Sequence, residues 1–436
     1  MFTIKKRYLF LVLTVLLSNN NIFGQSKKTG KTAIINAIAH IGNGKVIENC
    51  LIIINGELIE SVQSVTGIKL NYQSFDTVMD FSGKHVYPGI INCNNVLGLH
   101  DAAAVRATVD WKDVGENNAH IRTLIAYNTD NKIVPTIKTN GILYTQVTPR
   151  GGLISGNSSV MSLEGWNWED AVLKADDGVH INFPVIKEPV QATKGEEKKQ
   201  ETGYKEKMQE LEAFMKESYA YYQSKSASEK NLRYEAMKGV FSGSKNLYLH
   251  ANNAKSIVAA IMFAKQNNVI SPVIVGGKES ELVAELLLEN KIPVILTRVH
   301  DLPDNADDDI DAVFNLPSKL QQKGILFCLS GGGDFEMEAM NSRNLPFLAG
   351  SAVAYGLKYE DAVSLITYNV AKILKVDNKI GTLEENKFAS LIVSDGDILD
   401  MKGNNITHAY IKGKAVNLSN QQTELYNKYK IKYGIK

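Results

Sequence analysis

Two side chains that can take up or give a proton follow apolar strand patterns in this sequence. His250 lies near the end of the stretch NLYLHA, directly before a helical pattern, and Asp334 follows GILFCLS and three glycines. Imidazole and carboxylate groups at strand ends can act as general base and general acid. We therefore take Asp334 and His250 as the candidate catalytic pair, because the glycine run lets the chain fold Asp334 back toward a pocket.

A polar stretch, VTPRGGLISGNSSVMSLEGWNWED, supplies candidate substrate-binding groups. It follows the predicted strand GILYTQV, whose last residues include Gln146, and it contributes Asn157 and Ser158 as donors and acceptors. The pattern predicts a pocket loop that binds a polar ligand, and the alternative is a surface loop with no ligand. A phosphate loop is not supported, because no Gly-Lys-Ser/Thr ending follows.

The elements that must position these groups alternate between short apolar strands and helices. Between residues 89 and 375, strands such as SPVIVGG and IPVILT alternate with helical stretches such as AKSIVAAIMFAKQNN, which favours a (β/α)8 barrel. Residues 31–88 and 376–416 have β patterns, and Asn55-Gly56 predicts a type I′ hairpin there. The predicted fold is therefore α/β, a TIM-like barrel with a small composite β-sandwich domain formed from both termini.

A charged segment, residues 187–230, interrupts the barrel pattern. After a linker-like start, apolar residues recur at helical spacing, at Met208, Leu211, Phe214, Met215 and Tyr219. Acidic and basic residues alternate along the segment, which is typical of a solvated helix face. We expect a helical insertion here and a C-terminal tail at residues 417–436.

The first residues have the order of a secretory signal. Lys5, Lys6 and Arg7 precede an apolar run from Tyr8 to Leu17, and a polar stretch then leads to Gly24. The run is shorter than the roughly 20 residues of a transmembrane helix. We predict a signal peptide over residues 1–24 and export to the periplasm or beyond, with an uncleaved anchor as the alternative.

Composition limits the partners. Hydrophobic residues make up 44% of the chain, which excludes global disorder, and the formal net charge of +1 disfavours nucleic acid. The expected partner is a small-molecule or peptide-like ligand, without a stable membrane span, and a homo-oligomer is compatible with the sequence. Cys50, Cys93 and Cys328 are too scattered for a disulfide framework, so we expect buried free thiols.

Three stretches, VYPGIIN, GTLEENKFASLIVSDGD and DAVSLITYNVAKILKV, together resemble the amidohydrolase superfamily, especially its imidazolonepropionase-like branch. VYPGIIN is similar to the lead into the first barrel strand, and GTLEENKFASLIVSDGD is similar to the late segment, although Ser390 replaces the usual aspartate. DAVSLITYNVAKILKV is similar to the preceding helix, with Thr367, Asn369, Ala371 and Leu374 in order. The resemblance implies a metal-dependent barrel with a composite β domain that hydrolyses C–N bonds.

The resemblance also implies metal ligands after several strands, and most of those positions hold other residues. The first-strand histidine pair falls on Asn94 and Val96, and glycines occupy the strand-six position. Ser330 stands where the strand-eight aspartate is expected, whereas His250 matches the strand-five histidine. Asparagine is a poor zinc ligand and valine is none. The expectation is therefore no bound cofactor, with zinc only where the family site is partly retained, and Asn94 and Ser330 as substrate-binding groups.

Three functions remain open at this point. The first is the family's metal-dependent hydrolysis of cyclic amides or peptide-like substrates, which the missing ligands disfavour. The second is a pseudoenzyme whose barrel pocket binds a small molecule or a partner protein. The third is a metal-free enzyme that uses Asp334 and His250 as an acid–base pair. The fold supports all three equally.

Overall fold

A computed structural model describes residues 30–67, 71–102, 105–185, 194–224, 229–297, 299–303, 307–332 and 337–435. The predicted signal over residues 1–24 and the candidate Asp334 lie outside these ranges. The strands are β1 Lys31–His40, β2 Val46–Asn55, β3 Leu58–Ser64, β4 Thr77–Asp80, β5 His85–Pro88, β6 Ile90–Asn95, β7 Ile142–Val147, β8 Ile154–Ser162, β9 Val172–Asn182, β10 Asn246–Ala251, β11 Pro272–Gly276, β12 Val294–Leu296, β13 Phe327–Leu329, β14 Leu391–Ser394, β15 Ile406–Ile411 and β16 Lys414–Ala415.

The helices follow the barrel strands for most of the chain. They span Val134–Lys138, Trp168–Ala171, Lys194–Gln223, Leu232–Ser242, Ala254–Gln266, Ala284–Glu289, Ala312–Gln322, Glu338–Asn341, Leu345–Ala354, Tyr359–Leu365, Tyr368–Ile373 and Gln421–Lys432. Asparagine side chains cap two helix starts beside the barrel, since Asn231 accepts from the N–H of Arg233 and Asn253 accepts from that of Ser256. No helix in the described ranges is long and apolar enough to cross a membrane.

The composite domain combines strands from both ends of the chain in one branched sheet. The hydrogen-bonded order is β16-β15-β14-β5-β1-β2-β3, and β4 pairs with β1. Its main core includes Ile34, Ile52 and Leu391, all at 0% exposure. The β2–β3 turn differs from the prediction: Gly56 and Glu57 are the two turn residues, and only Gly56 has positive φ, at 61°. A glycine at the first central position is typical of a type II′ turn, not type I′.

The barrel is a second sheet of eight strands, in the order β6 to β13. Five pairings are parallel, but β8 pairs antiparallel with both β7 and β9. The fold is therefore a TIM-like barrel with an extra sheet domain, as the sequence predicted, except that a three-strand meander replaces regular β/α units. A hairpin at Gly151 and Gly152, both with positive φ, reverses the chain between β7 and β8.

Within the charged insertion, the described residues include the helix Lys194–Gln223, which packs one face onto the protein. Leu211 and Met215 are fully buried and Phe214 is 6% exposed, so this side is not solvated. The predicted helical spacing is thus the spacing of a buried stripe. The predicted tail contains the helix Gln421–Lys432, which begins at the capping residue Asn420 and buries none of its own residues.

Candidate functional site

A cavity of about 750 Å³ opens where the parallel strands of the barrel end. Ligands bind barrels at this face, because loops from several strands converge there. Side chains from β6, β9, β10 and β11 contribute to the wall, together with the β7–β8 hairpin and the helix that follows β13. The residues that line the wall include Asn94, Arg150, Asn182, His250, Gly276 and Glu338.

His250 and a second histidine, His180, form a pair inside this wall. They lie on the adjacent parallel strands β10 and β9, and Nδ1 of His180 is 2.9 Å from Nε2 of His250. His180 is fully buried and stacks on the Tyr248 ring, with centroids 4.4 Å apart. His250 is partly exposed and lines the cavity. The inner histidine therefore fixes the orientation of the outer one.

A fully buried carboxylate, Asp177, anchors the histidine pair from below. It accepts hydrogen bonds from Ser158 Oγ at 2.6 Å, from Tyr248 OH at 2.6 Å and from Gln146 Nε2 at 2.9 Å. Burial raises the pKa of Asp177, and the bonds from Ser158 and Tyr248 oppose that rise. The carboxylate thus lies in a site built of donors.

The network assigns the tautomers of both histidines. The single hydroxyl proton of Ser158 goes to Asp177, so His180 Nε2, 2.9 Å away, must donate to Ser158 Oγ. His180 Nδ1 is then an acceptor, and His250 donates to it through Nε2. The remaining nitrogen of His250, Nδ1, is consequently an acceptor that has no hydrogen-bond partner among the described residues.

Both imidazoles are held neutral by their surroundings. Burial, with a further contribution from the positive charge of Arg150, lowers the pKa of His250 to about 3. Burial and the neighbouring His250 lower the pKa of His180 well below its usual value. At neutral pH His250 therefore offers a lone pair to the cavity and is a weak base.

Asn94 occupies an irregular point of β6. The register between β6 and β7 shifts after Asn92, and Asn94 has φ 50°, a conformation that asparagine tolerates better than most residues. Its N–H donates to Gln146 Oε1 at 2.9 Å. Its own side-chain oxygen is buried and has no hydrogen-bond partner among the residues that the structure describes. Such an orphaned acceptor is unusual, because buried polar atoms are nearly always paired.

A buried ion pair between Arg150 and Glu338 forms another part of the cavity wall. Arg150, from the β7–β8 hairpin, is hydrogen-bonded and ion-paired to Glu338, which begins the helix after β13. The same guanidinium nitrogen donates to the carbonyl of Asn94 at 2.9 Å. The side chains of Arg150 and Glu338 are only 8% and 1% exposed. The pair ties the hairpin, β6 and the helix Glu338–Asn341 together.

These residues do not fit a tetrahedral zinc site. Nε2 of His250 is engaged by His180, and Val96 lies past the end of β6 in the hydrophobic core at 1% exposure. A Cβ at Gly276 would lie 2.3 Å from Oδ1 of Asn252, so a histidine there would displace its neighbour. In the described ranges no three His, Cys, Asp or Glu side chains converge on one point. Zinc normally takes three or four protein ligands.

The structure brings some of the predicted binding residues together and separates others. Gln146 and Ser158 lie directly beneath the cavity wall, joined to each other at 3.2 Å. Asn157 points away, because its amide donates to the Ala119 carbonyl and accepts from Lys245. Ser330 donates to a β6 carbonyl and lines a separate cavity of about 310 Å³. The predicted pocket loop is thus strand β8, whose inward side chains are polar.

Four residues of the site were not singled out from the sequence: Asp177, His180, Arg150 and Glu338. His180 and Asp177 lie in VLKADDGVHIN, whose charged residues obscure a strand pattern. One signal was available, because His180 alternates with the apolar residues Val179 and Ile181. No local signal pairs Arg150 with Glu338, since 188 residues separate them.

The family assignment rests on a direct match. Residues 134–416 match the model of the Amidohydrolase family, and the chain belongs to that family. No curated protein matches the chain. The family match spans β7 to β16, so it includes most of the barrel and the returning part of the composite sheet.

Solved structures share the same architecture. An amidohydrolase from Thermotoga maritima MSB8 has 22% sequence identity and a TM-score of 0.74, covering 88% of this chain and 99% of that chain. A Xaa-Pro dipeptidase with methionine bound in its active site has 14% identity and a TM-score of 0.53, covering 89% and 100%. A molinate hydrolase has 12% identity and a TM-score of 0.51, covering 89% and 95%. At these identities the similarity shows the fold.

Proposed function

We propose that this amidohydrolase-family barrel binds a small polar ligand in its mouth cavity. The observation that carries the proposal is a pair of acceptors in the wall, the amide oxygen of Asn94 and Nδ1 of His250. Neither atom has a partner among the described residues, and the Asn94 oxygen is buried, where an unpaired acceptor costs free energy. A ligand that presents N–H or O–H groups to both atoms supplies the missing hydrogen bonds.

The charge and size of the cavity narrow the ligand class. Glu338 balances the charge of Arg150, which favours a neutral ligand at this wall over a strongly charged one. The cavity volume of about 750 Å³ is in the range of small-molecule sites, which favours a small molecule over a partner protein. Lactams, hydantoins and dipeptides carry amide N–H groups and are small enough for a cavity of this volume.

The proposal includes loss of the family's metal-dependent route. Asn94, Val96 and Gly276 supply no imidazole or thiolate ligand, and His250, the one histidine of the pair that lines the cavity, does not hold zinc tightly alone. Elemental analysis of the purified full chain is expected to find far less than one equivalent of zinc. About one equivalent or more, retained through dialysis, contradicts this part of the proposal.

A thermal-shift screen tests ligand binding. Lactams, hydantoins and dipeptides are compared with their N-methylated analogues, which lack the donor. At least one unmethylated compound should raise the melting temperature, and methylation should abolish the shift. The shift should also be lost in Asn94→Gly, which keeps a residue that tolerates positive φ, and in His250→Ala. His300→Ala, in the separate cavity, is the matched control. A thermal shift that persists in both Asn94→Gly and His250→Ala contradicts the proposal.

One observation favours a second function, metal-free acid–base catalysis. A continuous hydrogen-bonded chain links Asp177 through Ser158 and His180 to His250, which is an arrangement that can orient a base. The low pKa of His250 weakens it as a base at neutral pH. Turnover of an amide that persists in a chelator and disappears in His250→Ala would favour this function. The predicted partner, Asp334, lies outside the described residues.

We also propose that the protein is exported. The basic start, the apolar run and the small residue Gly24 before Gln25 support this proposal. Expression of the full chain with its own N-terminus, followed by fractionation and N-terminal sequencing, tests it. The expected mature protein begins at Gln25 and is found outside the cytoplasm. An intact Met1 terminus on cytoplasmic protein contradicts it.

A further inference from the structure

The barrel has a seam between its first and last strands. β6 and β13 stand at the two ends of the hydrogen-bonded strand order, and no backbone ladder joins them in the residues that the structure describes. Side chains hold the seam instead. Ser330 Oγ donates to the Cys93 carbonyl at 2.7 Å, and the Gly331 N–H donates to Asn92 Oδ1 at 3.0 Å.

Two cysteines face each other across this seam. Cys93 on β6 and Cys328 on β13 are both at 0% exposure, and their sulfur atoms are 3.6 Å apart. A disulfide has an S–S length of about 2.05 Å, so a side-chain movement of about 1.5 Å brings the pair to bonding distance. The third cysteine, Cys50, lies in the core of the composite sheet, a different hydrophobic cluster from the one that holds this pair.

We propose that Cys93 and Cys328 are a disulfide site, which forms when the chain folds in an oxidising environment and covalently closes the barrel seam. The oxidant is a small-molecule or protein disulfide. The thiolate of one cysteine attacks it, forms a mixed disulfide and releases one thiol. The second thiolate then attacks the mixed disulfide and releases the other thiol. Two thiols of the chain lose two electrons and two protons, and one external disulfide becomes two thiols.

The fold also restricts when this step takes place. Burial and the adjacent Cys93 sulfur raise the pKa of the Cys328 thiol well above its usual value. The thiolate is the reactive form, and neither sulfur is accessible in the folded barrel. Oxidation therefore belongs to the folding stage, before the seam is buried, and a reduced barrel that has already folded reacts slowly.

The closed seam has a consequence for the mouth cavity. Cys93 immediately precedes Asn94, whose carbonyl is held by Arg150. A bond between Cys93 and Cys328 fixes the strand that carries Asn94 against the last strand of the barrel. The bond also restricts the unfolded chain, so the oxidised protein should be more stable than the reduced protein.

Refolding the full chain under two redox conditions tests the site. Denatured protein is refolded in a glutathione–glutathione disulfide buffer or in dithiothreitol, and free thiols are then counted in denaturant. Of the chain's 3 cysteines, only Cys50 should remain free after oxidative refolding, and all should be free after reductive refolding. Non-reducing peptide mapping should show the Cys93–Cys328 bridge, and the oxidised protein should melt several degrees higher.

Three cysteine variants test which residues form the bridge. Cys50→Ser should keep the redox-dependent melting temperature, whereas Cys93→Ser and Cys328→Ser should lose it. If the seam variants do not fold, peptide mapping of the Cys50→Ser protein decides alone. Three free thiols after oxidative refolding, or a bridge that includes Cys50, overturns the proposal. Equal melting temperatures of mapped oxidised and reduced protein overturn the stabilising role of the bond.

Discussion

Arg150 and Glu338 form a buried ion pair between the β7–β8 hairpin and the helix after β13. Removing one partner leaves the other charge buried, which typically costs about 3–5 kcal/mol. We therefore expect Glu338→Ala to lower the free energy of unfolding by about that amount in urea titrations. Glu60→Ala is the control, because its pair with Lys31 is exposed and solvent screens the attraction of exposed pairs, so its removal should cost far less. Equal effects of the two substitutions would refute the buried pairing.

The tautomers of the histidine pair can be observed directly. Nitrogen chemical shifts of the imidazoles should show Nε2 protonated and Nδ1 bare in both His180 and His250 at neutral pH, because the chain of donors ends at Asp177. Neither ring should titrate between pH 5 and 8, since the pKa values of both are lowered. Ser158→Ala removes the acceptor that holds the proton on His180 Nε2, so the His180 tautomer should become mixed. A His250 ring that gains a proton near pH 6 contradicts the assignment.

Stability should fall in acid because of His250. Its pKa is lowered from 6.5 to about 3 in the folded protein, so the unfolded chain binds more protons below pH 6.5. The free energy of unfolding should therefore decrease as the pH falls from about 6.5 toward 3, by an amount on the order of a few kcal/mol. Above pH 6.5 this residue contributes no pH dependence.

Two substitutions isolate that contribution. His250→Gln removes one titrating ring and should reduce the decline of unfolding free energy between pH 6.5 and 3, while the lowered pKa of His180 keeps part of it. His408 lies at an exposed position of β15, where partial burial and Lys84 also lower its pKa, so His408→Gln should reduce the decline less than His250→Gln does. The measurement is urea unfolding at a series of pH values. An unchanged slope in His250→Gln means that the ring is not held neutral by burial.

Gly276 has two independent reasons to be glycine. Its φ is 102°, and a Cβ there would lie 2.3 Å from Oδ1 of Asn252. Gly324 has positive φ of 77° but open space around the Cβ position. We expect Gly324→Ala to cost about 1 kcal/mol, the backbone strain alone, and Gly276→Ala to cost clearly more. Thermal unfolding of the two variants gives the comparison, and equal shifts would show that Asn252 moves aside freely.

The sequence predicted the barrel because strand and helix periodicities alternate over most of the chain. It did not predict the direction of β8. Glycine, serine and asparagine occupy most of its first six positions, so ISGNSSVMS has no apolar alternation and is typical of a loop. The polar interior exists only because Gln146, Asp177 and Tyr248 are brought against it, and that closure depends on tertiary contacts.

Part of the candidate site could be predicted from the sequence, because polar residues at the ends of apolar strand patterns are visible there. Asn94 and His250 stand at strand ends, and the structure places both at the mouth cavity. His180 was missed because it faces inward from a strand rich in charged residues, where its role depends on Ser158 and His250. Asn157 was grouped with Ser158 by proximity in the chain, but neighbouring residues of a strand point to opposite faces.

The antiparallel course of β8 also bears on the order of events in folding. The meander β7–β8–β9 occupies residues 142–182 without a long crossover, whereas the other barrel strands pair only after a helix has returned the chain. Loop closure costs less for such local pairings, so the meander is the natural nucleus on which the remaining strands assemble. Pulsed hydrogen exchange should show protection in residues 142–182 before it appears in β12 and β13. Simultaneous protection throughout the barrel would argue for a diffuse nucleus.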